Sequence, residues 1–263
     1  MPKFSIITPV HLWSQERVDG FLRCIQSVRN QTFKDFEWIV VDDGSVLPFL
    51  WESISDVAKV IKQPHLERVV AYNNAFKNMS GEWILFLDSD DELDPQTLKK
   101  LDIIIKKHPD YKMFNFGCRF IHKDGSTNTR DPFKPKKLKV GHKIFGGGNI
   151  VNGTFVFNRS VWEDLGGYPP QDIKDIDCSK INYGGDGGVR NLSMCSPYDF
   201  SAYAQLEFPE IRQYFMVDHE NEPEKILKEL GNPWGQDFYL FYKYTRKYHS
   251  KPFKQYFYIV HLR

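Results

Sequence analysis

Two groups of acidic residues directly follow buried runs of the sequence, where they could do chemistry. Asp42-Asp43 follows the apolar run FEWIVV, and Asp88-Ser89-Asp90-Asp91 follows WILFL. Carboxylates at such short spacing repel one another unless a positive group joins them. Oxygen ligands of this kind favour Mg²⁺ or Mn²⁺, and these ions commonly share their coordination with the phosphates of a substrate. The pattern therefore predicts a divalent-cation site that binds a phosphorylated ligand.

The elements around these groups predict that both lie at one edge of a sheet. Alternation of strands and helices over the first 120 residues is typical of an α/β fold with an open, mostly parallel sheet. Ligands bind such sheets beyond the carboxyl ends of the strands, so both acidic groups are expected to face one crevice. The alternative is that these residues only end strands and cap helices. This explanation is weaker for two acidic groups at neighbouring strand ends than for a single group. Strands are predicted at 4–9, 36–41, 57–61, 83–87 and 113–120, and helices at 18–30, 49–59, 69–79 and 95–108, the last with Asp94 as its N-cap.

The second half of the chain has a different pattern. Residues 123–143 are polar, basic and proline-containing, which predicts a surface loop. A short strand at 155–157 and a short helix at 161–165 are predicted next. An aromatic helix is predicted at 238–248, close to the end of the sequence.

Composition argues against several other classes of protein. The 263 residues include 35 Lys+Arg and 34 Asp+Glu, and a formal net charge of +1 argues against a dedicated nucleic-acid binder. We expect no membrane span and no secretion signal, because the apolar runs are too short for either. Four scattered cysteines without a Cys-x-x-Cys pair predict free thiols in a reducing compartment. The expected location is the cytoplasm, with the inner face of the membrane as an alternative.

Three segments carry a resemblance to a known family: SIITPV, SVRNQTFKDFEWIVVDDGS and NNAFKNMSGEWILFLDSDDELDP. In this order they resemble the family 2 glycosyltransferases, which have the Rossmann-like GT-A fold. The similarity covers residues 3–120 and resumes at NGTFVFNRSVWEDLGGY. The resemblance implies a metal-dependent, inverting transfer of a sugar from a nucleotide diphosphate donor, with UDP-sugars favoured, in polysaccharide or glycoconjugate synthesis. It also implies that residues 1–120 bind the donor and residues 121–263 bind a saccharide or lipid-linked saccharide acceptor.

By position, the resemblance implies several contacts with the donor nucleotide. Pro9 and His11 follow the first strand, where the family often has an aromatic residue that packs on the base. Asp43 matches the family's base-binding aspartate, with Asp42 beside it. The family often has an arginine before an Asn, but here the tripeptide is AYN, with a tyrosine in the arginine's place. Arg68 lies one helical turn earlier and is the candidate to supply the missing positive charge.

The segment Asp88-Ser89-Asp90 matches the family's Asp-x-Asp motif. The resemblance implies that Asp90 binds Mn²⁺ or Mg²⁺, that Asp88 lies near the ribose or the ion, and that Ser89 belongs to the donor site. His261 stands where some relatives have a histidine near the metal or the phosphates, and the alternative for it is a surface residue. A metal ion there would stabilise the negative charge that grows on the departing diphosphate.

The reaction also needs a carboxylate base that removes the proton of the attacking hydroxyl. The resemblance points to an acidic pair before a late helix, and Asp237 in GQDFYLFYKYTRKY takes that position. The distance from Gly167 to Asp237 is long for the family, so Asp186 in the glycine-rich GGDGG is the second candidate. The alternative for either aspartate is a solvated loop residue or a helix cap.

Two other functions stay open on sequence alone. A non-catalytic module for nucleotide sugars or glycans could use the same scaffold, although the aspartates at 43, 88 and 90 argue against it. A nucleotidyltransferase also combines a Rossmann-like half with carboxylate-bound Mg²⁺, but the TPVHLWSQER loop lacks the glycines expected there. The basic run 134–143 and the aromatic helix are candidates for a peripheral membrane contact, against the alternatives of a solvated loop and a packed core.

Overall fold

The structure is a computed structural model that describes residues 1–66, 68–132, 135–137, 143–145, 152–168, 243–245 and 247–262. Contacts divide the chain into two units. The first comprises Met1–Phe133, Val151–Gly167 and Lys247–Arg263, and the second comprises Lys134–Ile150 and Tyr168–Arg246. Both acidic groups belong to the first unit. The prediction that residues 1–120 bind the donor and 121–263 the acceptor concerns function and stays a prediction.

The strands and helices of the described residues follow in chain order. The strands are β1 (Phe4–Val10), β2 (Phe36–Asp43), β3 (Lys59–Gln63), β4 (Trp83–Phe86), β5 (Glu92–Leu93), β6 (Met113–Ile121), β7 (Thr127–Arg130), β8 (Pro135–Lys137), β9 (Lys143–Phe145), β10 (Phe155–Asn158) and β11 (Ser250–His261). The helices are α1 (Gln15–Arg29), α2 (Arg68–Asn78), α3 (Thr97–Lys107) and α4 (Arg159–Leu165), with 3₁₀ turns at Trp51–Ile54 and Asn152–Thr154. None of the described helices combines the length and apolar composition needed to cross a bilayer.

One large sheet organises the first unit. Its order is β3-β2-β1-β4-β10-β6-β11-β5, with β7 paired to β6. Strands β1 to β4 are parallel, as predicted, and β11 runs parallel to β6. Strand β10 inserts antiparallel between β4 and β6, which makes the far half of the sheet mixed. The α/β class is confirmed, and the carboxyl ends of β1, β2 and β4 lie at one edge.

The pattern of buried residues explains why the segments of β1 and α1 form a strand and a helix. Every residue of β1 is buried, as expected for a parallel strand covered on both faces. Helix α1 begins at Ser14, whose hydroxyl accepts a hydrogen bond from the Arg17 backbone N–H. Burial of each large apolar side chain contributes about 1.5–3 kcal/mol before entropy is counted. The buried apolar residues of α1 recur at helical spacing: Phe21, Cys24, Ile25 and Val28.

Two predicted helices were wrong in part. Residues 49–59 form only the 3₁₀ turn Trp51–Ile54, because Trp51 packs its ring 5.9 Å from that of Phe21 and β3 follows closely. Helix α3 begins at Thr97, two residues later than predicted. Asp94 does not cap it, since its carboxylate accepts from the Gln96 backbone N–H within the preceding turn.

Two predictions in the second half were wrong in part. The predicted loop at 123–143 contains β7, which pairs with β6, and β8, whose partner β9 begins at the last residue of that range. The predicted aromatic helix does not reach Tyr248, and its described helical residues are 243–245. Strand β11 was not predicted, since no element was assigned after residue 248 from the sequence. It pairs with β6 from Ser250 to His261.

Glu37 connects three segments at the amino ends of the strands, opposite the acidic groups. Its carboxylate accepts from the Ser5 hydroxyl at 2.6 Å, from the Ser80 N–H at 2.5 Å and from the Gly81 N–H at 2.7 Å. Partial burial acts to raise the pKa of Glu37, but these hydrogen bonds outweigh it and hold that pKa below its usual value. The ionised carboxylate therefore stabilises the folded sheet.

Glu37→Gln should lower the free energy of unfolding at pH 7 by about 1–2 kcal/mol, because an amide cannot accept this set of hydrogen bonds. The pKa of Glu37 is depressed on folding, so its contribution is present above the unfolded pKa and is lost as pH falls through the folded pKa. The difference between the two proteins should therefore shrink from about pH 5 to pH 3 in urea unfolding. Glu52→Gln, at an exposed position, is the control. A Glu37→Gln difference that does not change with pH would contradict this account.

Candidate active site

Asp43 ends β2 as a carboxylate that is only 4% exposed. Its Oδ1 accepts from Gln63 Nε2 at 2.7 Å and from the Leu66 N–H at 2.9 Å, and its Oδ2 accepts from His65 Nδ1 at 2.8 Å. A carboxylate offers about four acceptor positions. Over the described residues these bonds use three of them, so Oδ2 can accept one further hydrogen bond from a ligand.

Two histidines stack beside Asp43. The ring centroids of His11 and His65 are 4.2 Å apart at an angle of 25°. The Nδ1 atoms lie 2.9 Å and 3.1 Å from the Asp43 carbonyl oxygen. Since a carbonyl oxygen only accepts, each Nδ1 carries a proton in this arrangement. His65 was not predicted as a site residue, because its only signal in the sequence was its position just after β3.

Asp42 fixes the loops that carry His11. Its Oδ1 accepts from the Ser45 N–H at 2.9 Å, and the Ser45 hydroxyl accepts from the Leu12 N–H at 2.9 Å. Pro9 is buried within β1 and pairs with Val41 of β2. These contacts position the loop after β1 that carries His11, while direct donor contacts of Asp42 and Pro9 stay predictions.

The acidic turn, residues 88–91, follows β4. The Asp91 N–H donates to the Asp88 carbonyl at 3.1 Å, which closes the turn. Ser89 and Asp91 are buried, whereas Asp88 and Asp90 are partly exposed. The turn thus presents to solvent the two carboxylates that the sequence motif predicts to act together.

Two tyrosines hold the acidic turn through Asp88. The Tyr258 hydroxyl accepts from the Asp88 N–H at 2.9 Å, and the Tyr72 hydroxyl donates to Asp88 Oδ1 at 3.2 Å. Both tyrosines are fully buried. The Tyr258 ring lies directly on Gly153, where any Cβ would overlap it. The C-terminal strand therefore helps to build the site formed by β4.

Asp91 is the buried member of the acidic turn. Burial, and then repulsion from Asp88 and Asp90, raise the pKa of Asp91 to about 8, although hydrogen bonds from Tyr258 and the His261 backbone oppose this. The raised pKa favours the neutral form of Asp91 over that of an ordinary carboxyl group, which relieves part of the repulsion in the turn.

Two arginines approach the acidic turn. The Nη1 atom of Arg17 lies 3.7 Å from Asp90 Oδ2. The Arg68 guanidinium lies 5.6 Å from the centre of the Tyr72 ring, whose hydroxyl bonds Asp88. The role of Arg68 as the supplier of a charge to the donor site stays a prediction. Arg17 was not predicted, because a single arginine in an amphipathic helix carries no signal.

His261 ends β11 beside the acidic turn. Its backbone N–H donates to Asp91 Oδ1 at 3.3 Å, and its Nε2 pairs with Glu92 Oε1 at 2.5 Å. The structure thus brings His261 next to the turn, with its imidazole bound to Glu92. Its role as a metal ligand stays a prediction.

The acidic turn suits a cation that is bound jointly with a ligand. Within the part of the chain that the structure describes, no three His, Cys, Asp or Glu side chains converge as a complete metal site. Asp88 and Asp90 supply hard oxygen donors, and Mg²⁺ is usually held by one or two carboxylates together with water and substrate phosphates. The donor set therefore fits Mg²⁺ or Mn²⁺ in an open site. The two candidate bases, Asp237 and Asp186, lie outside the described residues.

The fold and the two strand-end sites define an α/β protein with a polar ligand site at the carboxyl edge of its sheet. The model of glycosyl transferase family 2 matches residues 5–166, and the chain belongs to this family. The matched region extends from β1 to the end of α4 and includes both Asp43 and the acidic turn.

Curated relatives are similar to this chain over part of their length. The O-antigen biosynthesis protein RfbC of Myxococcus xanthus is 29% identical over 117 residues, which are 41% of this chain and 9% of that protein. The GalNAc(5)-diNAcBac-PP-undecaprenol beta-1,3-glucosyltransferase of Campylobacter jejuni is 32% identical over 151 residues, 55% of this chain and 46% of that enzyme. The chain thus covers less than half of either relative.

Solved structures of Staphylococcus aureus TarS share the fold. One TarS structure aligns with a TM-score of 0.52 at 18% identity and covers 99% of this chain and 37% of TarS. TarS residues 1–349 in complex with UDP align with a TM-score of 0.51 at 22% identity, over 66% of this chain and 52% of that one. At these sequence identities the similarity to TarS shows only that the two proteins share a fold.

Tyr258→Phe should destabilise the protein by about 1–3 kcal/mol, because it leaves the partly buried Asp88 N–H without its acceptor. Urea unfolding without divalent cations measures the change. Tyr256→Phe is the matched control on the same strand, since its hydroxyl bonds Asp131 in an exposed position. Equal effects of the two substitutions would show that the Tyr258 hydroxyl does not support the acidic turn.

Proposed function

We propose that the protein is a metal-dependent, inverting glycosyltransferase that moves a sugar from a nucleotide diphosphate, with UDP-sugars favoured, to a hydroxyl acceptor. The observation that carries the proposal is the placement of Asp43 and the acidic turn on either side of β1. Neighbouring strands lie about 4.8 Å apart, so the ends of β2 and β4 are roughly 10 Å apart across the sheet. A nucleoside diphosphate is long enough to reach from one to the other.

The base end of the donor fits the surroundings of Asp43. The remaining acceptor position on Asp43 Oδ2 suits an imide N–H such as that of uracil. The stacked rings of His11 and His65 offer a flat surface on which a base can pack. Three bonds hold the Asp43 carboxylate in place, so little side-chain entropy is lost when the base binds.

The diphosphate end of the donor fits the acidic turn. Asp88 and Asp90 would hold Mg²⁺ or Mn²⁺, which as a Lewis acid stabilises negative charge on the leaving diphosphate. Tyr258 and Tyr72 keep Asp88 in place, and the raised pKa of Asp91 limits repulsion within the turn. Removal of the acceptor proton remains assigned to Asp237, with Asp186 as the alternative.

The names of relatives support the donor and acceptor classes. The aligned TarS structure was obtained with UDP, which supports a uridine nucleotide here. The Campylobacter jejuni relative is named as a glucosyltransferase for an undecaprenol-linked saccharide, and the Myxococcus xanthus relative is named for O-antigen biosynthesis. A saccharide or lipid-linked saccharide acceptor in surface polysaccharide assembly is therefore the proposed context.

Release of nucleoside diphosphate from UDP-, GDP- and dTDP-sugars, with and without Mn²⁺, tests the proposal in the absence of any acceptor. We expect Mn²⁺-dependent hydrolysis of one or more UDP-sugars. Asp90→Asn should reduce this rate by at least about 100-fold, because a metal ion contributes several kcal/mol to stabilising the leaving group.

Asp110→Asn makes the same chemical change at an exposed turn far along the chain and should leave the rate unchanged. Turnover of Asp90→Asn at the wild-type rate would contradict the metal role. Hydrolysis that is unaffected by a chelator would contradict metal dependence altogether.

A further inference from the structure

Arg17 lies at a helix position where a positively charged side chain lowers the stability of the helix. It lies in the first turn of α1, three residues after the N-cap Ser14. The partial positive charge at a helix N-terminus disfavours a cation there, by a few tenths of a kcal/mol or more. A reason for this arginine must therefore come from what its side chain faces.

The side chain of Arg17 faces the acidic turn. Helix α1 passes so close to this turn that a Cβ on Gly20 would lie 3.0 Å from the Cβ of Asp90. Arg17 is one turn earlier on the helix, and its Nη1 is 3.7 Å from Asp90 Oδ2. At that distance the two groups attract each other without a hydrogen bond. The guanidinium also packs against Trp13, with 5.6 Å between Cζ and the ring centre.

Asp90 does not satisfy all the hydrogen-bond donors of the Arg17 guanidinium. Its Nε is buried and has no hydrogen-bond partner among the residues that the structure describes. The side chain as a whole is 30% exposed, so the guanidinium reaches the site from a partly covered position. A guanidinium has five N–H donors in a planar arrangement that matches phosphate oxygens in pairs. The natural partner for such a group beside a diphosphate site is a phosphate oxygen.

We propose that Arg17 changes partners when the donor binds, a proposal that rests on the function proposed above. In the free protein Arg17 neutralises Asp90. When a divalent cation binds Asp90, it repels the guanidinium and takes over that carboxylate. Arg17 then donates hydrogen bonds to the diphosphate that arrives with the ion. Arg17 thus competes with the free cation and favours the complex of cation and diphosphate.

The proposed exchange predicts that loss of the Arg17 charge changes two affinities in opposite directions: the affinity for Mn²⁺ alone and the affinity for UDP in the presence of Mn²⁺. Loss of the Arg17 charge should tighten binding of Mn²⁺ alone, because a competing cation is removed. The same loss should weaken binding of Mn²⁺ with UDP, by about 10- to 100-fold, because a charge-assisted hydrogen bond to phosphate is lost. A residue that served only as a counterion for Asp90 would give the first change without the second.

The experiment uses the full chain as wild type, Arg17→Gln and Arg17→Lys. Electron paramagnetic resonance of free Mn²⁺ measures binding of the ion alone, and calorimetry measures binding of UDP and of inorganic pyrophosphate at saturating Mn²⁺. Pyrophosphate lacks a base, so it isolates the diphosphate contact. Arg29→Gln makes the same change further along α1, where Arg29 pairs with Asp56. Thermal unfolding checks that each variant folds.

We expect Arg17→Gln to bind Mn²⁺ several-fold more tightly, and UDP and pyrophosphate with Mn²⁺ about 10- to 100-fold more weakly, with Arg17→Lys in between. Ligand binding to Arg17→Gln that equals wild type, or an equal loss in Arg29→Gln, would overturn the role of Arg17. Tighter Mn²⁺ binding with unchanged UDP binding would also overturn it. Absence of UDP binding by the wild-type protein with Mn²⁺ would instead refute the proposed function.

Discussion

Repulsion among the carboxylates of the acidic turn is the constraint on which the site depends. Three aspartates within four residues cannot all be ionised at close range without compensation. The structure supplies it in three ways: burial raises the pKa of Asp91, Tyr72 and Tyr258 bind Asp88, and Arg17 lies beside Asp90. The turn then presents two partly exposed carboxylates, those of Asp88 and Asp90.

The sheet order follows from the need to support this turn from both ends of the chain. Strand β11 pairs along β6 and places Tyr258 under β4, 170 residues away in sequence from its partner Asp88. Gly153, in the turn before β10, leaves the space that the Tyr258 ring fills. The first 120 residues alone would therefore lack the hydroxyl that accepts from the Asp88 backbone. Strand β11 is therefore a structural support of the acidic turn.

Much of the parallel part of the sheet was predictable from sequence because its signals are local. The buried runs at β1, β2 and β4 and the aspartates that follow them are contiguous in the chain, so Asp43, Asp88 and Asp90 could be placed at one sheet edge. Tyr258, His65 and Arg17 could not be found in this way. Each acquires its position through long-range pairing or helix packing, which no short pattern encodes.

The errors in element prediction have different causes. Residues 49–59 have the apolar spacing of a helix, but the packing of Trp51 on Phe21 and the nearby start of β3 leave room for only one turn. Tertiary contacts outweighed local preference in that segment. Strand β11 contains the run YFYIV, whose aromatic and β-branched residues favour a strand, so its local preference agrees with its pairing with β6.

A divalent ion that joins the acidic turn to a diphosphate is the central claim for this protein. The most direct test is a crystal structure with UDP and Mn²⁺, in which anomalous scattering locates the ion. We expect the ion between Asp90 and the diphosphate, with the base beside Asp43 and His11. An ion bound away from the acidic turn, or UDP bound in the same way without any ion, would contradict the central claim.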